Sequence, residues 1–577
     1  MTEFFQDPPV LRNQYDDDHT LRTYLRHALP RDVLAEVEPD LRRFGQRVVG
    51  DLREMADDCD ANEPRLVQFD PWGRRIDEII TARGWRQLDA VSAEEGLLAI
   101  GYERKHGPLS RVYQFAKLYL FNPSSGGYSC PLAMSDGAAR LIEVHGDEAL
   151  RRGALARLTT RDPHKFWTSG QWMTERSGGS DVGGTETVAR LEQGGYRLYG
   201  TKWFTSATTA QMAMTFARIQ QADGTSVRGS RGLSLFYLET RDAQGRLNHI
   251  TIHRLKDKLG TRSLPTAELS LEGTEAKLVG QPGSGVRNMS TLFNITRIYN
   301  AIGAAAGMRR GLALARDYAT RRVAFGRKLA DQPLHVQTLA DLQVEFEAAF
   351  HLTFHVVGLL GKEECGQAST DESAILRLLT PLVKLYTAKQ CVAAASEILE
   401  CFGGAGYVEN TGLPRLLRDA QVLPIWEGTT NVLSLDALRA IEKDDALPPL
   451  MSDIEERLAS ITHAELDASV QATREALRRL RQYAAQTVGE GPEAWQTGAR
   501  GFAYSLARVS IAALLLEHAQ WAAADADDGY AVALARRWCG RELAPLIAVD
   551  AAERAASRAL ALAQPLSVNH ALARQAT

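Results

Sequence analysis

Pro424-Ile-Trp-Glu-Gly-Thr-Thr-Asn-Val-Leu-Ser-Leu-Asp436 sets one carboxylate, Glu427, between a large aromatic and a glycine at the end of an apolar run. A carboxylate in such surroundings is partly stripped of water, which disfavours its charged form and makes it a stronger base. Gly428 lets the backbone approach a ligand closely. Thr429 and Thr430 supply hydroxyls and a start for a helix over residues 431–441. The same residues also fit a plainer role, in which Glu427 puts its negative charge at that helix start. The stretch alone leaves both roles open.

Far upstream lies Gln171-Trp-Met-Thr-Glu-Arg-Ser-Gly-Gly-Ser-Asp-Val-Gly-Gly-Thr185, with two glycine pairs and the hydroxyls of Thr174, Ser180 and Thr185. Such a loop can turn amides and hydroxyls toward a phosphate or a polar ring edge. It also reads as an ordinary turn between strands, since neither G-x-G-x-x-G after a strand nor G-x-x-x-x-G-K-[ST] is present. Tyr196-Arg-Leu-Tyr-Gly-Thr-Lys-Trp-Phe-Thr-Ser206 follows, alternating and aromatic as a half-buried strand should be.

Taken in order, Met173-Thr-Glu, Gly178-Gly-Ser-Asp181, Gly200-Thr-Lys-Trp-Phe-Thr-Ser206, Arg321-Arg-Val-Ala-Phe-Gly326, Phe402-Gly-Gly-Ala-Gly-Tyr407, Arg418-Asp419 and Trp426-Glu-Gly-Thr429 resemble the acyl-CoA dehydrogenase flavoprotein family. Trp426, the segment Phe69-Asp-Pro-Trp-Gly-Arg-Arg-Ile-Asp77 and a long extension past Asp436 are similar to its AidB-like, alkylation-response subgroup. The resemblance implies FAD as cofactor and an acyl-CoA substrate, with the redox chemistry belonging to the flavin. It implies Glu427 as the base that removes the α-proton. Some relatives carry the base on a helix just before an arginine matching Arg297; here that position is Thr296, which cannot serve. The backbone amide of Glu427 and a hydroxyl of the flavin's sugar chain are the implied donors to the thioester oxygen.

By the same resemblance Met173, Thr174 and Ser180 meet the flavin edge and pyrophosphate side, and Phe204, Thr205 and Ser206 back the ring. Thr429 and Asn431 reach the adenine half past Trp426 and Gly428, while Arg297 and Trp426 face the substrate. Arg322 and the turn Glu400–Gly404, with Gly403 and Gly404, match segments that contact FAD from a neighbouring subunit, so a homo-oligomer, tetramer or dimer, is implied. Glu400 departs from the glutamine usual there. An electron acceptor is required and is not named by the residues.

The 577-residue chain has room for several domains. Its 45% hydrophobic and 24% charged residues are those of a globular protein, and a net charge of −4 gives no overall field for nucleic acid or an anionic membrane. Six scattered cysteines without a C-x-x-C pair read as buried free thiols in a reducing compartment. His351 and His355 lie four apart but lack a third ligand, and read as structural. The acidic start Met1–Pro9 lacks a secretory or mitochondrial design, the end Ala571–Thr577 is not a peroxisomal tripeptide, and no apolar run reaches spanning length, Ile511–Leu516 being the best. Cytoplasm is the expected compartment.

The expected fold is mainly α with a central β domain. Residues 1–168 form an N-terminal extension and helical domain, 169–285 a β-barrel-like middle domain, 286–445 a C-terminal four-helix bundle, and 446–577 an extra helical domain. Helices are expected over residues 32–55, 90–100, 297–320 and 373–401, the last bent at Pro381. Strands are expected over 212–218, 233–238, 250–255 and 267–271, and residues 444–449 read as a linker. Arg309-Arg310, Arg321-Arg322 and Asp16-Asp-Asp18 read as solvated surface, Tyr407, Trp203 and Phe354 as core. From Ala446 onward 13 arginines and no lysine face 15 acidic residues. Arg474, Arg478, Arg479 and Arg481 stand at helical spacing but Glu475 interrupts them, which argues against nucleic-acid binding. The rival function is an AidB-like flavoprotein that mainly binds DNA or an acyl ligand, with Trp426 narrowing the acyl channel.

Overall fold

A computed structural model describes residues 7–526, 529–547 and 550–566; most of Met1–Pro9 and all of Ala571–Thr577 lie outside them. The chain divides into two compact units. The first comprises Met1–Phe346, Leu360–Gln367 and Thr387–Glu427, the second Glu347–Leu359, Ala368–Tyr386 and Gly428–Thr577.

The first unit opens with helices α1 (His19–Ala28), α2 (Arg31–Arg47) and α3 (Asp51–Ala61). The single helix expected over 32–55 is broken because Gly50 (φ −107°, ψ −117°) leaves helical geometry and caps a new start. A hairpin missed in the sequence follows, β1 (Arg65–Phe69) and β2 (Arg75–Ile80), antiparallel around the Asp70–Gly73 turn. The turn is built by Asp70 Oδ1, which accepts from the amides of Trp72 and Arg74. Helices α4 (Arg83–Glu94), α5 (Ala99–Glu103), α6 (Leu109–Phe121) and α7 (Ser129–His145) come next, then the single turns α8 (Glu148–Leu150) and α9 (Ala156–Leu158).

Seven strands follow: β3 (Ser169–Trp172), β4 (Val188–Glu192), β5 (Gly195–Ser206), β6 (Met212–Ile219), β7 (Leu233–Glu239), β8 (Ile250–Leu255) and β9 (Thr266–Val279). β6 pairs with β3, β4 and β7, β4 with β5, β5 with β9, and β9 with β7, so the sheet closes on itself. Both faces of β6 are buried. Ala213 and Ala217 of β6 join Trp172, Phe236, Ile252 and Leu269 in the barrel interior. Met212, Met214 and Phe216, one step out of phase, pack with Ala138, Leu141 and Ile142 of α7.

Helix α10 (Gly285–Arg321) then runs 37 residues, longer at both ends than expected, and contributes Met289 and Leu292 to the same cluster. It is keyed to α6 and α7 by a buried network. Arg111 pairs with Asp136 at 2.8 Å and Glu364 at 2.6 Å, and Tyr299 of α10 donates to Asp136 Oδ2 at 2.8 Å. A small hairpin, β10 (Val323–Ala324) with β11 (Arg327–Lys328), precedes α11 (Pro333–Glu364) and α12 (Thr370–Glu400), whose stretches fall in both units, and α13 (Pro414–Ala420). Pro381 starts no turn: it sits inside α12, which runs on past it as one helix. Burial of Leu378, Leu379, Leu382 and Val383 around it outweighs a cost of about 3 kcal/mol for an internal proline.

The second unit holds α14 (Thr430–Asp444), α15 (Leu447–Ala459), α16 (Asp467–Glu490), α17 (Pro492–Ala526), α18 (Gly529–Cys539) and α19 (Ala551–Ala561). The expected linker shrinks to Asp445 and Ala446, because Pro448 and Pro449 occupy the first turn of α15, where a missing N–H costs little. α17 is long and apolar enough to cross a membrane by length and composition, but 72% of that window is buried in the protein, the mark of a core helix.

Candidate active site

β3 sets the first side of the site. Its alternation sends Trp172 into the barrel interior, while Met173 and Gln171 share the opposite face. Just beyond, Glu175 turns inward and organises the glycine loop. Its carboxylate accepts from the Glu186 amide at 2.6 Å, Thr187 Oγ1 at 2.5 Å and Lys202 Nζ at 2.7 Å. Lys202 also donates to Phe216 O at 3.0 Å. Burial would raise the Glu175 carboxyl; the Lys202 charge and the surrounding donors outweigh it and hold it below the ordinary value. Arg218 ties down the far end of the loop by donating to Thr185 O at 2.7 Å and Val227 O at 2.7 Å. Thr174 and Gly179 touch so closely that a β-carbon on Gly179 would lie 2.6 Å from Thr174 Oγ1. Ser180 is exposed.

β5 runs beside this loop, the Trp203 amide donating to Thr174 O at 2.9 Å. Phe204 is 50% exposed, and Lys256 Nζ stands 3.8 Å from the Trp203 ring centre and 4.6 Å from that of Phe204. Thr205 is buried, its hydroxyl donating to Ala267 O at 2.8 Å, and Ser206 Oγ lies 3.0 Å from Thr266 Oγ1.

The third side is the loop after α13. Asp419 Oδ1 accepts the Thr261 amide at 2.7 Å, and Gly260 is pressed against Arg418, where a β-carbon would lie 2.3 Å from its carbonyl oxygen. The Arg418-Asp419 motif therefore fixes α13 to the turn after β8. The chain leaves α13 through turn bonds ending at Trp426 N to Val422 O, 3.1 Å. Glu427 then adopts a left-handed backbone, φ +54°, a strained state for a side chain with a β-carbon.

That turn delivers the carboxylate to the first two sides. Glu427 Oε1 accepts from Gln171 Nε2 at 3.0 Å, and Oε2 from Thr296 Oγ1 at 2.7 Å. One residue back, the Trp426 indole donates to Asn300 Oδ1. Thr296 and Asn300 are four apart on α10, so one face of the helix holds both residues of the Trp-Glu pair. The helix-capping role falls instead to Thr429, whose hydroxyl accepts from the Val432 amide. Cys130 of α7 stands near: burial pushes its thiol up to about 12, Lys258 opposing and Glu427 adding to the rise. Burial also pushes Lys258 down to about 8.

Gln171, Thr296 and Glu427 are thus gathered at one place, with Trp426 next to Glu427 and Arg297 half-buried beside Thr296 on α10; Met173 packs in the core between β6 and α7. Arg322 caps the far end of α10, and the Tyr318–Phe402 ring contact, 4.9 Å between centres, sets that end beside the turn carrying Gly403 and Gly404. In the second unit Gly428 (φ +101°), Thr429 and Asn431 lead into α14. Sequence reasoning missed Gln171 and Asn300 and gave Thr296 no part beyond excluding it as a base. The i, i+4 pair on α10 was the signal available.

Several surface expectations are overturned. Arg309 and Arg310 are buried, Arg309 Nε on Asp18 Oδ2 at 3.0 Å and Arg310 on Ser124 Oγ at 2.8 Å. Asp18 is buried with them and caps α1 through the Leu21 amide at 2.9 Å. Tyr407, expected in the core, is 89% exposed. Four of the six cysteines are buried, and Cys130 and Cys365 are half-buried.

Four family models match the sequence: Adaptive response protein AidB N-terminal domain over residues 7–163, acyl-CoA dehydrogenase middle domain over 170–274, acyl-CoA dehydrogenase C-terminal domain over 283–441, and acyl-CoA dehydrogenase 11 C-terminal domain-like over 445–566. Acyl-CoA dehydrogenase family member 11 of Caenorhabditis elegans is 46% identical over 528 residues, 89% of this chain and 86% of the relative. Putative acyl-CoA dehydrogenase AidB of Escherichia coli (strain K12) is 30% identical over 423 residues, 72% of this chain and 76% of the relative. The crystal structure of C. elegans ACDH-11 in complex with C11-CoA superposes with a TM-score of 0.93 at 41% identity, covering 98% of each chain. With these matches over its whole fold, the chain belongs to the acyl-CoA dehydrogenase family of FAD-dependent oxidoreductases, in its AidB-like branch.

Proposed function

We propose that this protein catalyses α,β-dehydrogenation of a fatty or branched acyl-CoA, with Glu427 taking the α-proton. The observation that carries the reading is the placement of the Glu427 carboxylate, delivered by a strained turn and held by two neutral donors rather than spent on a helix cap. A neutral pair of donors orients a carboxylate without the tight ion pair that would quench its basicity. The C11-CoA seated in the C. elegans relative supports a fatty acyl thioester.

The residues fit FAD. Gly179 leaves no room for a β-carbon beside Thr174, so the loop backbone is bare there, and the half-exposed Phe204 offers an aromatic face. Bound FAD supplies the hydride acceptor. Met173, Thr174, Ser180, Phe204, Thr205, Ser206, Trp426, Gly428, Thr429 and Asn431 are proposed to hold it, with Arg297 and Trp426 toward the substrate. Trp426, pinned by Asn300, keeps its ring fixed beside the base. A homo-oligomer in which Arg322, Gly403 and Gly404 reach a neighbouring copy is supported by Phe325, 99% exposed on the β10–β11 hairpin, and by exposed Tyr407. We propose a four-part division at 168, 285 and 445, supported by the spans of the four matching family models.

The DNA-binding alternative finds little support. Arg478 pairs with Glu475 at 2.6 Å, Arg479 with Glu542 at 3.0 Å and Arg481 with Glu455 at 2.6 Å, which removes the cationic stripe that phosphate contacts need. The test is anaerobic addition of acyl-CoAs of increasing chain length to the yellow holoprotein. Rapid bleaching with a fatty acyl-CoA, lost in Glu427→Gln that retains its FAD, is the expected result. No bleaching with any thioester, together with salt-sensitive retention of DNA, would establish the binder instead.

A further inference from the structure

We infer that Thr296 and Gln171 are positioning residues for Glu427, with the Thr296 hydroxyl changing from donor to acceptor when Glu427 is protonated. The inference rests on the reading of Glu427 as the proton acceptor. Thr296 Oγ1 is 2.7 Å from Glu427 Oε2, 3.1 Å from Phe293 O and 3.3 Å from Leu292 O. A hydroxyl carries one proton and two acceptor lone pairs. An ionised carboxylate only accepts, so the Thr296 proton points to Glu427, the nearest of the three partners. Once Oε2 carries a proton it must donate, and Thr296 Oγ1 can receive it by turning its own proton to Phe293 O. Two O–H rotations are needed, that of the Thr296 hydroxyl and that of the new proton on Oε2.

Gln171 Nε2 donates to Oε1, which favours Oε2, the oxygen whose hydroxyl partner can turn from donor to acceptor, as the one that takes the proton from the α-carbon. The proton count balances: one leaves the substrate carbon and one is bound at Oε2, with its bonding electrons left on the substrate. Thr296 is 5% exposed, so water does not readily replace its hydroxyl. The plainer role for a helical threonine is a bond back to the preceding turn, and it predicts no effect on proton transfer.

Burial pushes the Cys130 thiol on α7 up to about 12, outside the range used, and pushes Lys258 after β8 down to about 8, at its alkaline end, so the acid side of the profile is the side read. The experiment is anaerobic stopped-flow reduction of the holoprotein by saturating fatty acyl-CoA between about pH 5.5 and 8. Thr296→Val is expected to slow reduction about tenfold and to move the acid limb up by about one pH unit, the loss of one hydrogen bond to a charged acceptor. Thr296→Ser restores both. Gln171→Met slows reduction with FAD retained.

A second reading uses FAD-free protein, in which the infrared band of the protonated Glu427 carboxyl, identified by its loss in Glu427→Gln, shifts in Thr296→Val and not in Thr296→Ser. Unchanged rate, limb and band in Thr296→Val overturn the inference, as does a slower rate with an unmoved limb. If Glu427→Gln itself reduces its flavin normally, the base assignment fails instead.

Discussion

Lys202→Met tests how the glycine loop is held. Lys202 is fully buried, and its Nζ sits 2.7 Å from Glu175 Oε1 and 3.0 Å from Phe216 O. Methionine has a similar length but no charge, so Glu175 keeps the Thr187 and Glu186 donors and loses its only cation among the described partners. Stranding one member of a buried pair costs about 3–5 kcal/mol, several times a surface pair. In a β domain of this size that lowers the melting temperature by on the order of 10 °C. Differential scanning calorimetry on the FAD-free protein reads it directly. The double variant Lys202→Met with Glu175→Gln removes the stranded charge and should recover most of the loss, a coupling visible in a double-mutant cycle. A single variant melting with the wild type, or a double variant worse than the single, would refute the claim that this pair anchors the loop.

Two further outcomes follow from the same loop. Gly179→Ala puts a β-carbon 2.6 Å from Thr174 Oγ1 and should weaken FAD binding about tenfold by fluorescence titration, whereas Gly184→Ala, whose β-carbon meets nothing nearer than 4.0 Å, should leave it unchanged. Because Glu175 is held below its ordinary value, it contributes stability above its unfolded value and loses it as pH falls through the folded one. FAD retention by ultrafiltration should therefore be level from neutrality to about pH 5 and fall below it, the fall beginning at higher pH in Lys202→Met.

What the sequence revealed follows from local chemistry. The barrel strands were legible because short β-rich runs ended in turns; Ile250–Leu255 was found with both ends correct. The extra residues of β9 were not, since Gly273 sits within the strand and reads as a break. Helix α10 was legible through its apolar spacing, yet Arg309 and Arg310 were read as solvated because nothing nearby in sequence announces Asp18 and Ser124 as partners. Tyr407 was misread for the opposite reason: an aromatic is usually core, and its exposure depends on a glycine turn whose direction is a tertiary fact. At the site, Glu427 stood out through its neighbours Trp426 and Gly428. Gln171 did not, because its contact with Glu427 spans 256 positions and joins a strand to a loop.

The central claim is that Glu427 removes a proton from the carbon next to the thioester. The most direct measurement is exchange of that proton with deuterated solvent, followed by mass spectrometry of a fatty acyl-CoA incubated anaerobically with holoprotein. Wild type should exchange the α-position, and Glu427→Gln with FAD in place should be slower by about 10²–10⁴-fold. Equal exchange in the two proteins would contradict the account, because the proton would then be leaving to some other group.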